Sequence, residues 1–363
     1  MKSIDRSLLL ITGILVVFGF FIFTSASLGL LAREGARFSS VAFSQIFFGM
    51  FLGTIFLAIM VKIRYRVWKP FALYIFIFSL VATALVFVPS IGSELNGARR
   101  WISIFGFSIQ PAEFLKLGFV LYLASYLSVV KDKIGEFKHG LIPFCIILGI
   151  PALLLLLQPD TGTVLVIASA GIAMYITAGG KIRDFVILFL IATIALSALI
   201  YTRPYVQDRI ETFIRPGTDL QQTGYQLNQS LIAIGSGGVS GRGFGQSVQK
   251  FNYLPEPIGD SIFAVAAEEF GFIGGVILIL LFLSFSFRGL KIASRAPDYF
   301  GGLLIVGIVI LIISQSFVNI GSMLGVFPLT GLPLLFISHG GTAMLFALGS
   351  VGIILNISKY IKS

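Results

Sequence analysis

The sequence predicts an all-α polytopic membrane protein with ten transmembrane helices and a large extracytoplasmic loop between the seventh and the eighth. Three observations predict it. Of 363 residues only 12% are charged and 56% are apolar, with a mean hydropathy of +0.98; a soluble domain carries about 25% charged residues, so too little polar surface is left to cover a water-exposed globule. Apolar runs of the length that crosses the hydrocarbon layer, about 20 residues, recur along the whole chain. Basic residues gather on alternate connections between those runs. The same composition sets aside disorder, fibrous repeats and nucleic-acid binding as the main activity, and the single cysteine, Cys145, has no disulfide partner.

The runs lie near 8–26, 42–63, 69–88, 111–130, 140–158, 162–179, 184–202, 260–286, 302–325 and 335–358. Stretches such as 151–158 (PALLLLLQ) do not alternate in polarity, which excludes an outer-membrane barrel. An even number of spans puts both termini on one side. That side, with every second connection, carries sixteen Lys and Arg residues, against four (Arg33, Arg37, Arg99, Arg100) on the opposite short connections. The positive-inside rule therefore predicts cytoplasmic termini, and most of the net charge of +10 is a topology signal with a weak attraction to anionic headgroups. Small residues Ser25-Ala26-Ser27 follow the first span, but its length and the nine spans after it favour an uncleaved anchor. The chain shows no clear internal repeat and reads as one domain, 1–363.

Polar residues gather on the outer face. The connection 89–110 holds Glu94, Asn96, Arg99, Arg100, Trp101 and Gln110, and 203–259 is the one long polar stretch, too long to be a plain connector. Within it, Val206, Ile210, Phe213 and Ile214 fall on one face of a helix over 205–214, with Asp208, Arg209 and Glu211 turned away, so the helix is expected to lie flat on the outer leaflet. Next come 224–234 (GYQLNQSLIAI), with Gln226 and Gln229 one turn apart, and the glycine-dense 235–245, with Arg242 and Lys250 beside it. Glycines at that density let backbone amides approach an anion. A phosphate cradle and a simple hinge are both open readings.

An ionisable residue at the bilayer centre costs roughly 2.5–3.5 kcal/mol and is presumed functional. Glu113 and Lys116, at i and i+3 on the fourth span, read as a structural ion pair before a catalytic acid. Asp160 reads as a helix cap at the start of the sixth span. Glu268 and Glu269, two turns into the eighth, require an internal partner. Asp260 opens the eighth span at the outer interface, beside the glycine-rich stretch; a cap is its plain role, and the concentration of Gly, Gln, Arg and Lys around it argues for more. His139 and His339 are too far apart in the topology for a histidine zinc site, and the sequon Asn228-Gln229-Ser230 is read as accidental.

Several motifs in order then make the chain similar to a known family: 96–101 (NGARRW) with 110–116 (QPAEFLK), 158–162 (QPDTG), 224–230 (GYQLNQS) with 232–238 (IAIGSGG), 249–255 (QKFNYLP) before Asp260, 319–321 (NIG), 328–333 and 338–341 (SHGG). Together they resemble the SEDS proteins (shape, elongation, division and sporulation), which include FtsW and RodA, and the spacing over 247–256 resembles the division branch, FtsW, more than the elongation branch, RodA. The resemblance implies a peptidoglycan glycosyltransferase that polymerises lipid II at the outer face of the bacterial cytoplasmic membrane, beside a class B penicillin-binding protein and other divisome proteins, with undecaprenyl-pyrophosphate lipids as ligands. It also implies that Asp260 is essential. The family usually has His-Thr before that aspartate and an aromatic after it, and Ser-Tyr-Gly-Gly near the end; here stand Ile258-Gly259, Ser261 and Ser338-His339-Gly340-Gly341, so no histidine role carries over.

On that implication Asp260 is the base for the attacking 4-hydroxyl of the acceptor sugar, with inversion at the donor's anomeric carbon. Arg99 or Arg100, then Arg242, and Lys116 if Glu113 releases it, are the candidate pyrophosphate clamp. Arg209 and Arg215 rank last for the clamp and read first as headgroup contacts. Gln226, Gln229, Ser338, Glu113 and Asp160 are expected to support the site. A divalent cation, Mg or Mn, held by Asp260 is an alternative use of that carboxylate. A lipid II flippase, an elongation-type RodA polymerase and a noncatalytic scaffold for a penicillin-binding protein are the competing readings.

Overall fold

The computed structural model describes residues 3–33, 35–95, 98–104, 107–215 and 223–361. A helix occupies each of the ten apolar stretches. They are α1 (Arg6–Arg33); α2 (Gly35–Phe43), which runs through a π-helical segment Ser44–Leu52 into α3 (Gly53–Lys62); α4 (Trp68–Ala84); α5 (Pro111–Val129); α6 (Leu141–Leu157); α7 (Thr161–Thr177); α8 (Ile182–Thr202); then two helices of the long loop, α9 (Pro204–Ile214) and α10 (Thr223–Ser236); and finally α11 (Ile262–Ala293), α12 (Tyr299–Met323) and α13 (Gly341–Ser358). Eight of the spans are long and apolar enough to cross a membrane, and the chain is a multi-pass membrane protein. The other two, α6 and α7, have 17 residues each, about 25 Å at 1.5 Å per residue against about 30 Å of hydrocarbon.

The all-helical expectation misses one element. The connection 89–110 folds as an antiparallel sheet of β1 (Gly92–Leu95), β2 (Ala98–Ile104) and β3 (Phe107–Ile109), in the order β1-β2-β3. Two-residue alternation in Trp101-Ile102-Ser103-Ile104 is the signal for it. Ile102, paired with Ile109, is buried. Asn96 lies outside the described residues.

α12 and α13 form the centre of the bundle, with nearly all of α13 buried. α8 stands at the opposite extreme: of its side chains only Asp184 is buried, accepting from Tyr175 Oη at 2.8 Å, so most of this helix faces lipid. Glu113 and Lys116 pair at 2.7 Å inside α5, both buried, and Lys116 Nζ donates at 2.6 Å to Gln315 of α12. A buried ion pair is tolerated only when its remaining donors are met, and Gln315 meets one.

Contacts between connections sort the molecule into two ends. At one end Asp5 N–H donates to Ser358 Oγ, Tyr65 and Arg66 bind Asp298, and the connection 130–140 lies under Tyr126 and Tyr175. At the other lie the sheet, the α6–α7 turn, α9, α10, the segment 237–261 and the segment 324–340.

Candidate active site

The segment 324–340, between α12 and α13, is irregular backbone packed inside the protein: Leu329, Leu332, Leu334, Leu335, Phe336 and Ile337 are all buried. Non-helical backbone at that depth needs its polar groups satisfied. Side chains do this. Ser322 Oγ donates to Pro328 O at 2.9 Å, Arg209 Nη1 to Thr330 O at 3.2 Å, Asn319 Nδ2 to Leu332 O at 2.7 Å and Gln315 Nε2 to Pro333 O at 3.0 Å. Gln45 clamps the far end, donating to Ser338 O and accepting from Gly340 N–H, each at 3.1 Å.

Asp260 is stitched to this segment through the backbone on either side of it. Asn319 Nδ2 donates to Asp260 O at 2.7 Å, Ser338 Oγ donates to Gly259 O at 2.7 Å, and His339 N–H donates to Ile258 O at 2.7 Å. The motif residues Asn319, Ser338 and His339 thus hold the aspartate's main chain and leave its carboxylate to point elsewhere. Gln226 of α10 donates to the neighbouring Ser261 Oγ at 2.9 Å. The Gln229 side chain makes no hydrogen bond among the described residues.

The carboxylate of Asp260 faces Arg209. At Gly331, whose φ is 70°, a Cβ atom would lie 3.8 Å from Arg209 Nη2 and 3.9 Å from Asp260 Oδ2, its nearest neighbours outside the adjoining residues. Room for a methyl group, at ordinary van der Waals contact with both, is therefore left beside cation and anion. Asp260 Oδ1 is shielded from water with no hydrogen-bond partner among the described residues. Burial pushes the Asp260 pKa up to about 6, Glu256 adding to the rise, while Gln226 and Arg209 oppose it. Arg209 is itself held below its ordinary pKa by burial and then by the charge of Arg100. Arg100, Arg209 and Asp260 therefore share one electrostatic neighbourhood.

This corrects the expected orientation of α9. The helix forms, but its inward residues are Val206 and Thr212, with Arg209 on the same side at i+3, while Ile214 is 68% exposed. The carbonyl of Thr330 and the field of Asp260 draw the guanidinium inward, over the ring of Tyr205 at 5.8 Å, a pull that hydrophobic periodicity does not register. Strand alternation separates the other two arginines: Arg99 is exposed, whereas Arg100 Nε donates to Gln158 O at 3.1 Å and its Nη2 to Pro159 O. Asp160, next in that turn, caps α7 through Thr163 N–H at 3.1 Å and Thr163 Oγ1 at 2.9 Å.

The glycine-dense stretch packs against α11. α11 is broken at Gly271, with φ 67° and ψ −165°, and the chain 237–243 lies against the break. Arg242 N–H donates to Glu268 O and Gly243 N–H to Glu269 O, both at 3.0 Å; Phe272 N–H donates to Gly238 O at 2.9 Å and Ile273 N–H to Val239 O at 3.1 Å. Every backbone group freed by the break that these bonds reach is paired again. A methyl group on Gly241 would collide with Glu269 O, and one on Gly271 with Gly241 N. Backbone contact accounts for Gly237 and Gly241, and a left-handed φ for Gly238, Gly243 and Gly245.

The partners that Glu268 and Glu269 require come from the same stretch. Lys250 Nζ, fully buried, donates to Glu269 Oε1 at 2.8 Å, Ser25 Oγ at 2.9 Å and Gly245 O at 2.8 Å; Ser25 Oγ donates to Glu269 at 2.5 Å. Glu268 accepts from Ser247 Oγ at 2.6 Å and Val248 N–H at 3.0 Å, with Arg242 Nε 3.6 Å away. Arg242 is thereby engaged at Glu268, and Lys116 at Glu113 and Gln315. Of the expected clamp residues, Arg100 is the one in the neighbourhood of Asp260, joined there by Arg209.

Residues 5–363 match the family model described as "Cell cycle protein" for FtsW, RodA and SpoVE. The chain belongs to the FtsW/RodA/SpoVE family. Members similar to it over nearly their whole length include "Stage V sporulation protein E" of Bacillus subtilis, 38% identical over 358 residues, 99% of this chain and 98% of that protein. Another is the "Probable peptidoglycan glycosyltransferase FtsW" of Geobacter sp. (strain M18), 36% identical over 361 residues, with the same two coverages. Among solved structures, the fold resembles a chain of a complex described under "Structural coordination of polymerization and crosslinking by a peptidoglycan synthase complex", with TM-score 0.80 and 26% identity. It also resembles the Thermus thermophilus rod shape determining protein RodA, with TM-score 0.72 and 26% identity; each comparison covers 99% of both chains. Both solved chains thus share this arrangement of helices from end to end.

Proposed function

We propose that this chain is a peptidoglycan glycosyltransferase of the division type, which polymerises lipid II with Asp260 as general base. The observation that carries the reading is that the Asp260 carboxylate and the Arg209 guanidinium both border the side-chain position of Gly331, in a chain whose relatives, matched over 94% or more of their length, bear that activity in their names. The acceptor's 4-hydroxyl gives its proton to Asp260 and attacks the anomeric carbon of the donor. The bond to pyrophosphate breaks with inversion, and the leaving pyrophosphate carries its charge toward Arg209 and Arg100. A base with a pKa near 6 is mostly ionised at neutral pH and still basic enough to take the proton; such a positioned base contributes roughly 10²- to 10⁴-fold. Arginine suits the leaving group because its planar fork matches phosphate oxygens.

A divalent cation, Mg or Mn, fits this donor set only in company with substrate. Asp260 offers an unpartnered Oδ1, Mg takes one or two carboxylates plus substrate phosphates, and no cluster of three His, Cys, Asp or Glu exists among the described residues. When bound, it would neutralise pyrophosphate charge.

The basic connections support cytoplasmic termini and, with them, a position of Asp260 at the outer face. A class B penicillin-binding protein is the proposed partner, supported by the likeness to a chain of a complex described as coordinating polymerization and crosslinking. The test is the purified chain with that partner and labelled lipid II. Glycan strands that vanish in Asp260→Asn while partner binding persists support the enzyme; transbilayer lipid movement without polymer supports a flippase, and unchanged cell growth of Asp260→Asn a scaffold.

A further inference from the structure

The end of the molecule that carries both termini holds a cavity with no part in this chemistry. Its volume is about 460 Å³, and it lies where α1 begins and α11 and α13 end; Asp5, Arg6, Arg288, Lys291 and Arg295 line it. Asp5 is fully committed. Its Oδ1 accepts from Leu8 N–H at 2.9 Å and Arg288 Nε at 3.0 Å, its Oδ2 accepts from Arg288 Nη2 at 2.7 Å, and its own N–H donates to Ser358 Oγ at 3.0 Å. Through its backbone and its carboxylate Asp5 ties three helix ends together, and the carboxylate neutralises Arg288.

Arg6, Lys291 and Arg295 are left. All three are exposed and form no ion pair among the described residues, so the cavity carries an excess of three positive charges. Lys291 has a local use, since a cation in the last turn of α11 complements the helix dipole. Arg6 has none: it is the first residue of α1, where the dipole disfavours a cation. A group of cations around a hollow at a membrane boundary is the chemistry that receives phosphate headgroups.

We propose that this cavity binds a phosphate-bearing anion, with Arg6, Lys291 and Arg295 as its cations. Two sources supply that chemistry, an anionic phospholipid headgroup and a soluble phosphate. A basic side chain near such an anion is worth roughly fivefold in affinity, so three together give a large effect.

The experiment uses the full chain, delipidated in neutral detergent, and measures binding of phosphatidylglycerol, phosphatidylcholine and inorganic phosphate. Wild type is expected to take up phosphatidylglycerol in preference to phosphatidylcholine, and R6Q/K291Q/R295Q to weaken that binding at least about tenfold. A charge-matched control, K131Q/K133Q/K138Q, removes exposed lysines from the connection 130–140 and is expected to change it less than about twofold. An unchanged melting temperature in phosphatidylcholine checks that both variants fold. Displacement of the lipid by inorganic phosphate assigns the site to soluble phosphate; resistance to displacement assigns it to lipid. Equal losses in the two triple variants, or no preference among the three probes, overturns the proposal.

Discussion

Arg209 and Asp260 both border the side-chain position of Gly331. The two groups come from elements 51 positions apart in the chain, and both lie within 3.9 Å of where a side chain of Gly331 would begin. Because Arg209 lowers the Asp260 pKa through its charge, Arg209→Gln should move the acid limb of the polymerisation rate upward from about pH 6. It should also raise KM for lipid II. A pH–rate profile of kcat/KM measures both, and an unmoved midpoint refutes the electrostatic coupling.

Asp260→Asn should abolish polymerisation while stabilising the fold at neutral pH. The sign follows from linkage: the folded-state pKa of about 6 lies above the ordinary 3.8, so the native state binds the proton more tightly and loses stability as pH rises through that window. Replacing the carboxylate with an amide should recover about 1–3 kcal/mol at pH 8, and nothing below about pH 4. Thermal melts of both proteins at the two pH values decide it.

Gly241→Ala and Gly271→Ala should each destabilise the protein by about 3 kcal/mol or more, since each adds a methyl where backbone already touches backbone at a left-handed φ. The expected result is loss of monodisperse protein in detergent. Gly235→Ala meets nothing within 4 Å and serves as the tolerant control.

Lys250→Met leaves Glu269 buried without its cation and should cost about 3–5 kcal/mol. Lys250→Met combined with Glu269→Gln removes both charges and should regain part of that loss. A double-mutant cycle on melting temperature isolates the coupling, and additive losses would show that the pair is not coupled.

Gln315→Leu removes both the acceptor of Lys116 and the donor to Pro333 O. A decrease in kcat at constant KM is expected if the α5 ion pair positions the segment under Asp260. Rescue by Gln315→Asn is not expected, because the shorter side chain cannot span both partners.

Hydropathy and charge bias were enough to read a multi-pass helical protein and the position of every apolar stretch, because crossing a bilayer demands about 20 apolar residues whatever the rest of the chain does. The polar residues that violate that demand were equally legible: Glu113 with Lys116, Glu268, Glu269 and Asp260 all stand out in one dimension. Their partners did not. Glu269 finds Lys250 and Ser25, Asp260 faces Arg209, and Gly237 and Gly241 pack on the backbone of α11. Those pairings are decided when separate segments pack, since a buried charge or a freed amide takes whichever donor or acceptor the tertiary structure brings within about 3 Å, and a pattern along one strand of sequence does not contain that distance.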